Sequence, residues 1–122
     1  MSWPPTIGEL LPRAGDAFGV QEKLSAYCLN PDHELEARGF LQILGIASAD
    51  LEHLAAALLA GLRRAPITSV RDNTPFGVLC EVRIGVRGVR GRPNRVVAVT
   101  TSWGLRHEHD PPRLVTAYID GG

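Results

Sequence analysis

Three segments with helical spacing of apolar residues occupy the first half of the chain. The apolar positions 20, 24, 27 and 28 predict a short helix, which Asn30-Pro31 ends because the residue before a proline avoids helical backbone. Residues 34–44 predict a second helix that stops at Gly45. Asp50 is a favourable N-cap for a third helix. The apolar stripe of that third helix contains Leu51, Leu54, Ala55, Leu58 and Leu62.

After Pro66 the apolar residues alternate along the chain, which predicts β-strands. Four such segments cover residues 67–70, 78–86, 95–103 and 113–120. Because short connections join antiparallel neighbours, we predict an α+β domain with N-terminal helices packed on one face of a C-terminal antiparallel sheet. The proline- and glycine-rich residues 1–19 are interpreted as a lead-in or linker, and residues 20–120 as a single domain.

The alternation also assigns side chains to the two faces of the predicted sheet. The face toward the helices is expected to carry Val82, Val97, Val99, Val115 and Ala117. The opposite face is expected to carry Glu81, Arg83, Thr100, Ser102, Thr116 and Tyr118. That face combines a carboxylate, a cation, hydroxyls and a phenol, and an ordinary solvated sheet face is the alternative interpretation.

Composition indicates one domain of ordinary character. The 122 residues are 44% hydrophobic and 21% charged, which suffices for a single core. No apolar run reaches the roughly 18 residues of a membrane span, and residues 1–5 lack the basic and apolar regions of a signal peptide. Cys28 and Cys80 have no CxxC spacing, so buried thiols are expected rather than a zinc or redox site. These features predict a cytoplasmic location.

The formal net charge is zero, but residues 1–52 carry −5 and residues 53–122 carry +5. Five arginines surround a glycine-rich turn between the second and third predicted strands, namely Arg83, Arg87, Arg90, Arg92 and Arg95. Because a guanidinium can bind two phosphate oxygens at once, this hairpin is the best candidate for binding a polyanion such as RNA. A solvated hairpin is the alternative, and the absence of a strand–loop–helix context excludes a P-loop.

The polar residues of the predicted sheet, together with His33, are of the types that metal-independent cleavage of RNA uses. This reaction needs a base for the 2′-hydroxyl, cations for the phosphorane and an acid for the leaving oxygen. Glu81 is the candidate base, Arg83 or Arg113 the candidate cation, and His33 the candidate acid because histidine titrates near neutral pH. An exposed loop residue or a helix cap is the alternative interpretation of His33.

Other candidates are interpreted structurally. His107 and His109 lie in a charged loop with no obvious distant ligand, so a solvated loop is expected and no metal or other cofactor is predicted. Phe76 and Trp103 could stack on bases, but a core or rim position is favoured for both.

Four motifs occur in a fixed order along residues 20–120. They are Lys23-Leu-x-x-Tyr27-x-Leu-Asn-Pro-x-His33, Leu44-Gly45, Thr74-x-x-Gly77 and Pro112-Arg-Leu-Val-Thr-Ala-Tyr118. This order resembles a poorly characterised bacterial domain family found at the C-terminal tips of polymorphic and contact-dependent toxins. The element order is also similar to the barnase–EndoU–RelE-like ribonuclease superfamily, whose members cleave RNA without a metal and meet a cognate immunity protein.

The resemblance implies which residues line a site. They are Lys23, His33, Arg113, Thr116 and Tyr118. The family pattern continues after the histidine with Gly-x-x-Lys-Ala, whereas this chain has Glu34-Leu-Glu-Ala37-Arg38, with Glu36 near the lysine position. Arg38 is the expected substitute for the missing positive charge.

We therefore expect a ribonuclease toxin domain that acts on cytoplasmic RNA, with tRNA as a candidate substrate and an immunity protein or antitoxin as a partner. A non-catalytic immunity- or antitoxin-like module is one alternative, which the acidic N-terminal half and Glu36 favour. The other alternative is a domain that binds RNA through the arginine hairpin without cleaving it.

Overall fold

The three predicted helices are present in the computed structural model, which describes residues 3–30, 34–89 and 95–119. Helix α1 spans Val20–Lys23 and continues as a wider π-helical turn over Leu24–Cys28. Helix α2 spans Glu34–Gly39 and continues in the same way over Phe40–Leu44. Helix α3 spans Leu51–Leu62. Its buried stripe consists of Leu54, Ala55, Leu58 and Leu62.

The ends of the helices agree in part with the prediction. Gly45 adopts the left-handed backbone (φ 72°) that ends a helix, and its N–H donates to the Leu41 carbonyl (2.9 Å). Asp50 precedes α3 as expected, yet its side chain makes no capping bond to that helix. Instead its carboxylate accepts a hydrogen bond from the Ala47 N–H (3.0 Å), which closes the turn before α3.

The described residues contain four antiparallel strands, namely β1 (Ile67–Asp72), β2 (Val78–Arg87), β3 (Val96–Leu105) and β4 (Arg113–Ile119). They form one sheet in the order β1-β2-β3-β4. One face of the sheet packs on the helices, and the predicted α+β fold is confirmed. Where α3 packs on β2, a Cβ placed on Gly61 would overlap the Ile84 side chain, so a glycine is favoured there.

A bulge in β4 overturns one predicted side-chain position. Ser102 of β3 pairs with Thr116, and Trp103 pairs with Leu114, which leaves Val115 as an extra residue in β4. An extra residue reverses the alternation of side chains along a strand. Leu114 and Ala117 are therefore both buried, and Val115 is 39% exposed. The prediction that Val115 faces the helices is wrong, whereas Val82, Val99 and Ala117 are buried as predicted.

The segment predicted as a lead-in packs against both edge strands of the sheet. At one edge, the Gly8 N–H donates to the Ile67 carbonyl (2.9 Å), and the Ile67 N–H donates to the Glu9 carbonyl (2.8 Å). At the other edge, Phe18 lies beside β4, where its carbonyl accepts from the Leu114 N–H (3.1 Å). Leu11 is buried in the core between these two contacts.

The described residues contain no single helix long and apolar enough to cross a bilayer. Only the pair Ala37–Leu44 and Ser48–Leu62 reaches that length and composition together, and the two members are bent by 79°.

Candidate functional site

The antiparallel register aligns the predicted polar side chains in two neighbouring rows on the outer face, which is the sheet face turned away from α3. The first row contains Glu81, Ser102 and Thr116, one residue from each of β2, β3 and β4. The second row contains Arg83, Thr100 and Tyr118. Side chains directly opposite each other on antiparallel strands have Cβ atoms about 5 Å apart. A carboxylate, three hydroxyls, a guanidinium and a phenol therefore lie side by side on three adjacent strands of one face.

The depth of these side chains differs across the sheet. Thr100 and Ser102 on β3 are only 2% and 4% exposed. Glu81 and Thr116 are half-buried on the flanking strands, whereas Arg83 is exposed. The hydroxyls thus form the bottom of the site, and the ionisable groups stand at its rim. This arrangement suits an anion that is contacted by hydroxyl donors from below and by a cation from the side.

Lys23, Tyr27 and Arg113 come together in a groove of about 440 Å³ between α1 and β4. The Lys23 ammonium lies 4.6 Å from the centre of the Tyr27 ring, which is a cation–π contact. Arg113 passes over Gly19, where a Cβ would stand 3.2 Å from the Arg113 Cγ. Two of the residues implied by the resemblance, Lys23 and Arg113, are therefore neighbours, and Arg113 begins the strand that carries Thr116 and Tyr118.

Among the described residues, Arg38 is a predicted site residue that lies neither on the outer face nor in the groove lined by Lys23 and Arg113. Arg38 is exposed on α2 and lines another groove together with Leu41 and Ile46. His33, Arg90 and Arg92 lie outside the described residues.

Trp103 belongs to the core, as the favoured interpretation predicted. Its ring is fully buried, and its indole N–H donates to the Thr101 hydroxyl (2.7 Å). The same hydroxyl donates to the Val82 carbonyl (2.7 Å). This pair lies on the helix-facing side of β3 and is a structural element of the core.

The cysteines and loop histidines offer no reactive centre. Cys28 and Cys80 are both buried thiols outside any disulfide, as predicted, and burial raises the pKa of the Cys80 thiol to about 11. Such a thiol stays protonated and unreactive at neutral pH. His107 and His109 are exposed, and among the described residues no group of three His, Cys, Asp or Glu side chains is placed to hold a metal ion.

A third groove, of about 560 Å³, adjoins the outer face where β3 ends and β4 begins. Its lining includes Phe18, Phe76, Arg106 and Arg113. Phe18 and Arg106 were not predicted as site residues, because they lie in the predicted lead-in segment and in a loop, where no periodicity marks them. Phe76 did have a signal in the sequence, because it is an apolar ring among the turn residues Asn73-Thr-Pro-Phe-Gly77.

The model of one protein family matches residues 10–121, a span that includes helices α1–α3 and strands β1–β4. That family is DUF6883, a domain of unknown function. No curated protein and no solved structure matches the chain.

Proposed function

The chain belongs to the DUF6883 family, and we propose that this member is an endoribonuclease toxin domain that cleaves cytoplasmic RNA. The observation that carries the proposal is the pair of rows on the outer face. Glu81 stands opposite Ser102, Ser102 stands opposite Thr116, and Arg83 occupies the next row. These are the group types that cleavage of an RNA phosphodiester requires, on three adjacent strands of one sheet face.

In the proposed reaction, Glu81 removes the proton from the 2′-hydroxyl, and the resulting oxygen attacks the adjacent phosphorus. The bond from phosphorus to the 5′-oxygen breaks, which leaves a 2′,3′-cyclic phosphate on one fragment. Arg83 and the hydroxyls of Ser102 and Thr116 stabilise the charge on the phosphorane. An acid protonates the departing 5′-oxygen, and His33 is proposed for this role on its sequence context alone. The reaction as proposed uses side chains of the protein and no cofactor.

The proposal includes an inhibitory partner. A ribonuclease that acts on cytoplasmic RNA damages the cell that makes it, so a cognate immunity protein or antitoxin is proposed to cover the outer face. Arginines border that face, at Arg83 and Arg113, and an acidic partner surface is therefore expected.

The test is induction of the chain in bacteria, with total RNA separated on a denaturing gel, followed by cleavage assays on purified protein. Wild type is expected to arrest growth and produce discrete fragments that end in a cyclic phosphate. Glu81→Gln should lower the cleavage rate about 10²- to 10⁴-fold, because it removes the base without changing the size of the side chain. Thr116→Val and His33→Ala should also reduce cleavage.

Glu52→Gln is the matched control, because Glu52 is exposed on α3, away from the outer face. Circular dichroism of each variant verifies folding. Wild-type rates in folded Glu81→Gln would contradict the assignment of the base. Intact RNA and normal growth, with stable co-purification of a toxin, would instead support the interaction module. RNA binding that survives His33→Ala but fails in Arg90→Ala and Arg92→Ala would support a non-catalytic RNA-binding domain.

A further inference from the structure

The groove at the end of β3 is bordered by two exposed aromatic rings. Phe76 is 56% exposed and Phe18 is 49% exposed, and both line the groove. Exposed rings leave apolar surface in water, which is unfavourable. Two such rings at one concave site are therefore a candidate surface for a flat apolar ligand.

The loop that carries Phe76 is held in place by short-range contacts. The Asn73 N–H donates to the Gly77 carbonyl (2.8 Å), and the Phe76 N–H donates to the Asn73 carbonyl (2.7 Å). Gly77 has φ 98°, and any side chain there would overlap the Leu105 carbonyl. Asp72 accepts hydrogen bonds from the N–H and hydroxyl of Thr74, which lower the pKa of its carboxyl. The ring of Phe76 is thus presented from a closed turn that rests on the end of β3.

The charge of the groove is positive. Arg106 and Arg113 both line it, against one acid, Asp110. The Asp110 carboxylate already accepts a hydrogen bond from the His107 N–H (3.1 Å), inside its own loop. The groove therefore offers two guanidinium groups beside two aromatic rings, which is the combination that binds a base by stacking and its phosphate by charge.

The floor of the groove continues the outer face. Gly104 lines the groove and lies two residues beyond Ser102 on β3, which is about 7 Å along the strand. Residues two apart on a strand share a face, so a chain bound at the first row can extend directly into the groove. Val115, displaced to the outside by the bulge in β4, completes this floor.

We propose that this groove binds an unpaired nucleotide of the RNA substrate, next to the phosphate that is cleaved. The base stacks on Phe76 and Phe18, and Arg106 binds the flanking phosphate. This inference rests on the proposed function for the identity of the ligand, because it treats the first row as the site of cleavage. The base must be unpaired, since a base within a duplex has no free face on which a ring can stack.

The test measures binding rather than cleavage, so that it remains informative if the protein has no ribonuclease activity. The probe is a fluorescein-labelled hexauridine with 2′-O-methyl riboses, which lack the attacking hydroxyl. Fluorescence anisotropy gives the Kd at several salt concentrations. Phe76→Ala should weaken binding roughly 5- to 100-fold, and Phe76→Trp should retain it, because one stacked base contributes about that much.

Arg106→Ala should behave differently from Phe76→Ala. Loss of one phosphate contact should lower the slope of log Kd against log salt concentration by about 0.7, whereas loss of the ring should leave this slope unchanged. Leu41→Ala and Arg64→Ala are the matched controls, because both residues are exposed and line neither the groove nor the two rows. Both controls should bind as wild type does.

The binding and cleavage measurements test nucleotide binding in the groove and ribonuclease activity separately. The proposal that the groove binds a nucleotide would be overturned if both Phe76→Ala and Arg106→Ala bind the probe as wild type does. It would also be overturned if wild type does not bind the probe at low salt, even if the protein cleaves RNA. Selective loss in these variants would support the groove, and if wild-type protein then cleaves no RNA, only the proposed function fails. Retained binding with lost cleavage in Glu81→Gln would support both.

Discussion

Thr101 and Trp103 form a buried polar pair on the helix-facing side of β3. The Thr101 hydroxyl accepts from the indole N–H of Trp103 and donates to the Val82 carbonyl, each at 2.7 Å. A buried donor that loses its acceptor keeps the full cost of its desolvation. One hydroxyl therefore allows the largest side chain in the core to be fully buried.

We predict that Thr101→Val lowers the free energy of unfolding by about 1–3 kcal/mol, because the indole N–H of Trp103 loses its acceptor although the side-chain volume is kept. Thr101→Ser, which keeps the hydroxyl, should cost less. Urea denaturation followed by tryptophan fluorescence measures both. Thr68→Val is the control, since the Thr68 hydroxyl is exposed. A Thr101→Val variant as stable as wild type would show that this bond contributes nothing net.

At the scale of elements, α3 and β2 approach each other through a glycine. A side chain at Gly61 would overlap Ile84, so the helix can lie on the strand only because position 61 has no Cβ. Gly39 in α2 has no heavy atom within 4 Å of the position that a Cβ would occupy. An alanine substitution at each of these two glycines therefore separates the packing effect of the added methyl group from its effect on helix propensity.

We predict opposite effects for the same substitution at these two glycines. Gly39→Ala should stabilise the protein by about 0.5–1 kcal/mol, because alanine favours helical backbone. Gly61→Ala should destabilise it by about 1–3 kcal/mol, because the overlap with Ile84 outweighs that gain. Thermal denaturation of both variants makes the comparison. Gly61→Ala should lower the free energy of unfolding less in an Ile84→Ala background than in wild type. An equal loss in both backgrounds would contradict the proposed overlap.

Across the whole molecule, the N-terminal segment pairs with the first residues of both edge strands of the sheet. Residues 8 and 9 pair with Ile67 beside β1, and Phe18 pairs at the start of β4. Uncovered edges expose unpaired backbone groups that promote association between chains. Leu11 also fills the core between these contacts.

We predict that a chain starting at residue 20 is less stable and associates more readily than the full chain. It loses the burial of Leu11, which amounts to about 2–5 kcal/mol for a leucine that leaves a cavity, and it loses the backbone pairing at both edges. Thermal denaturation and size-exclusion chromatography measure the two effects. Leu11→Ala in the full chain separates them, because it removes the side chain and leaves the edges covered. An equally stable, monomeric truncation would show that residues 1–19 are a dispensable linker.

The sequence by itself determined helices α1–α3, strands β1–β4 and six of the polar side chains on the outer face. Periodicity is a local property: apolar residues every three to four positions or every second position can be read from neighbours along the chain. Glu81, Arg83, Thr100, Ser102, Thr116 and Tyr118 were predicted to share a face, and the register places them on one.

Only the tertiary structure decided which of these side chains stand opposite each other and what adjoins them. Strand register depends on pairing between distant segments, so the rows that contain Glu81 and Arg83 could not be read from spacing. The bulge that moves Val115 outward depends on how β4 fits against β3. The groove is lined by Phe18, Phe76 and Arg106 from three separate segments, and no local pattern in the sequence indicates that they lie together.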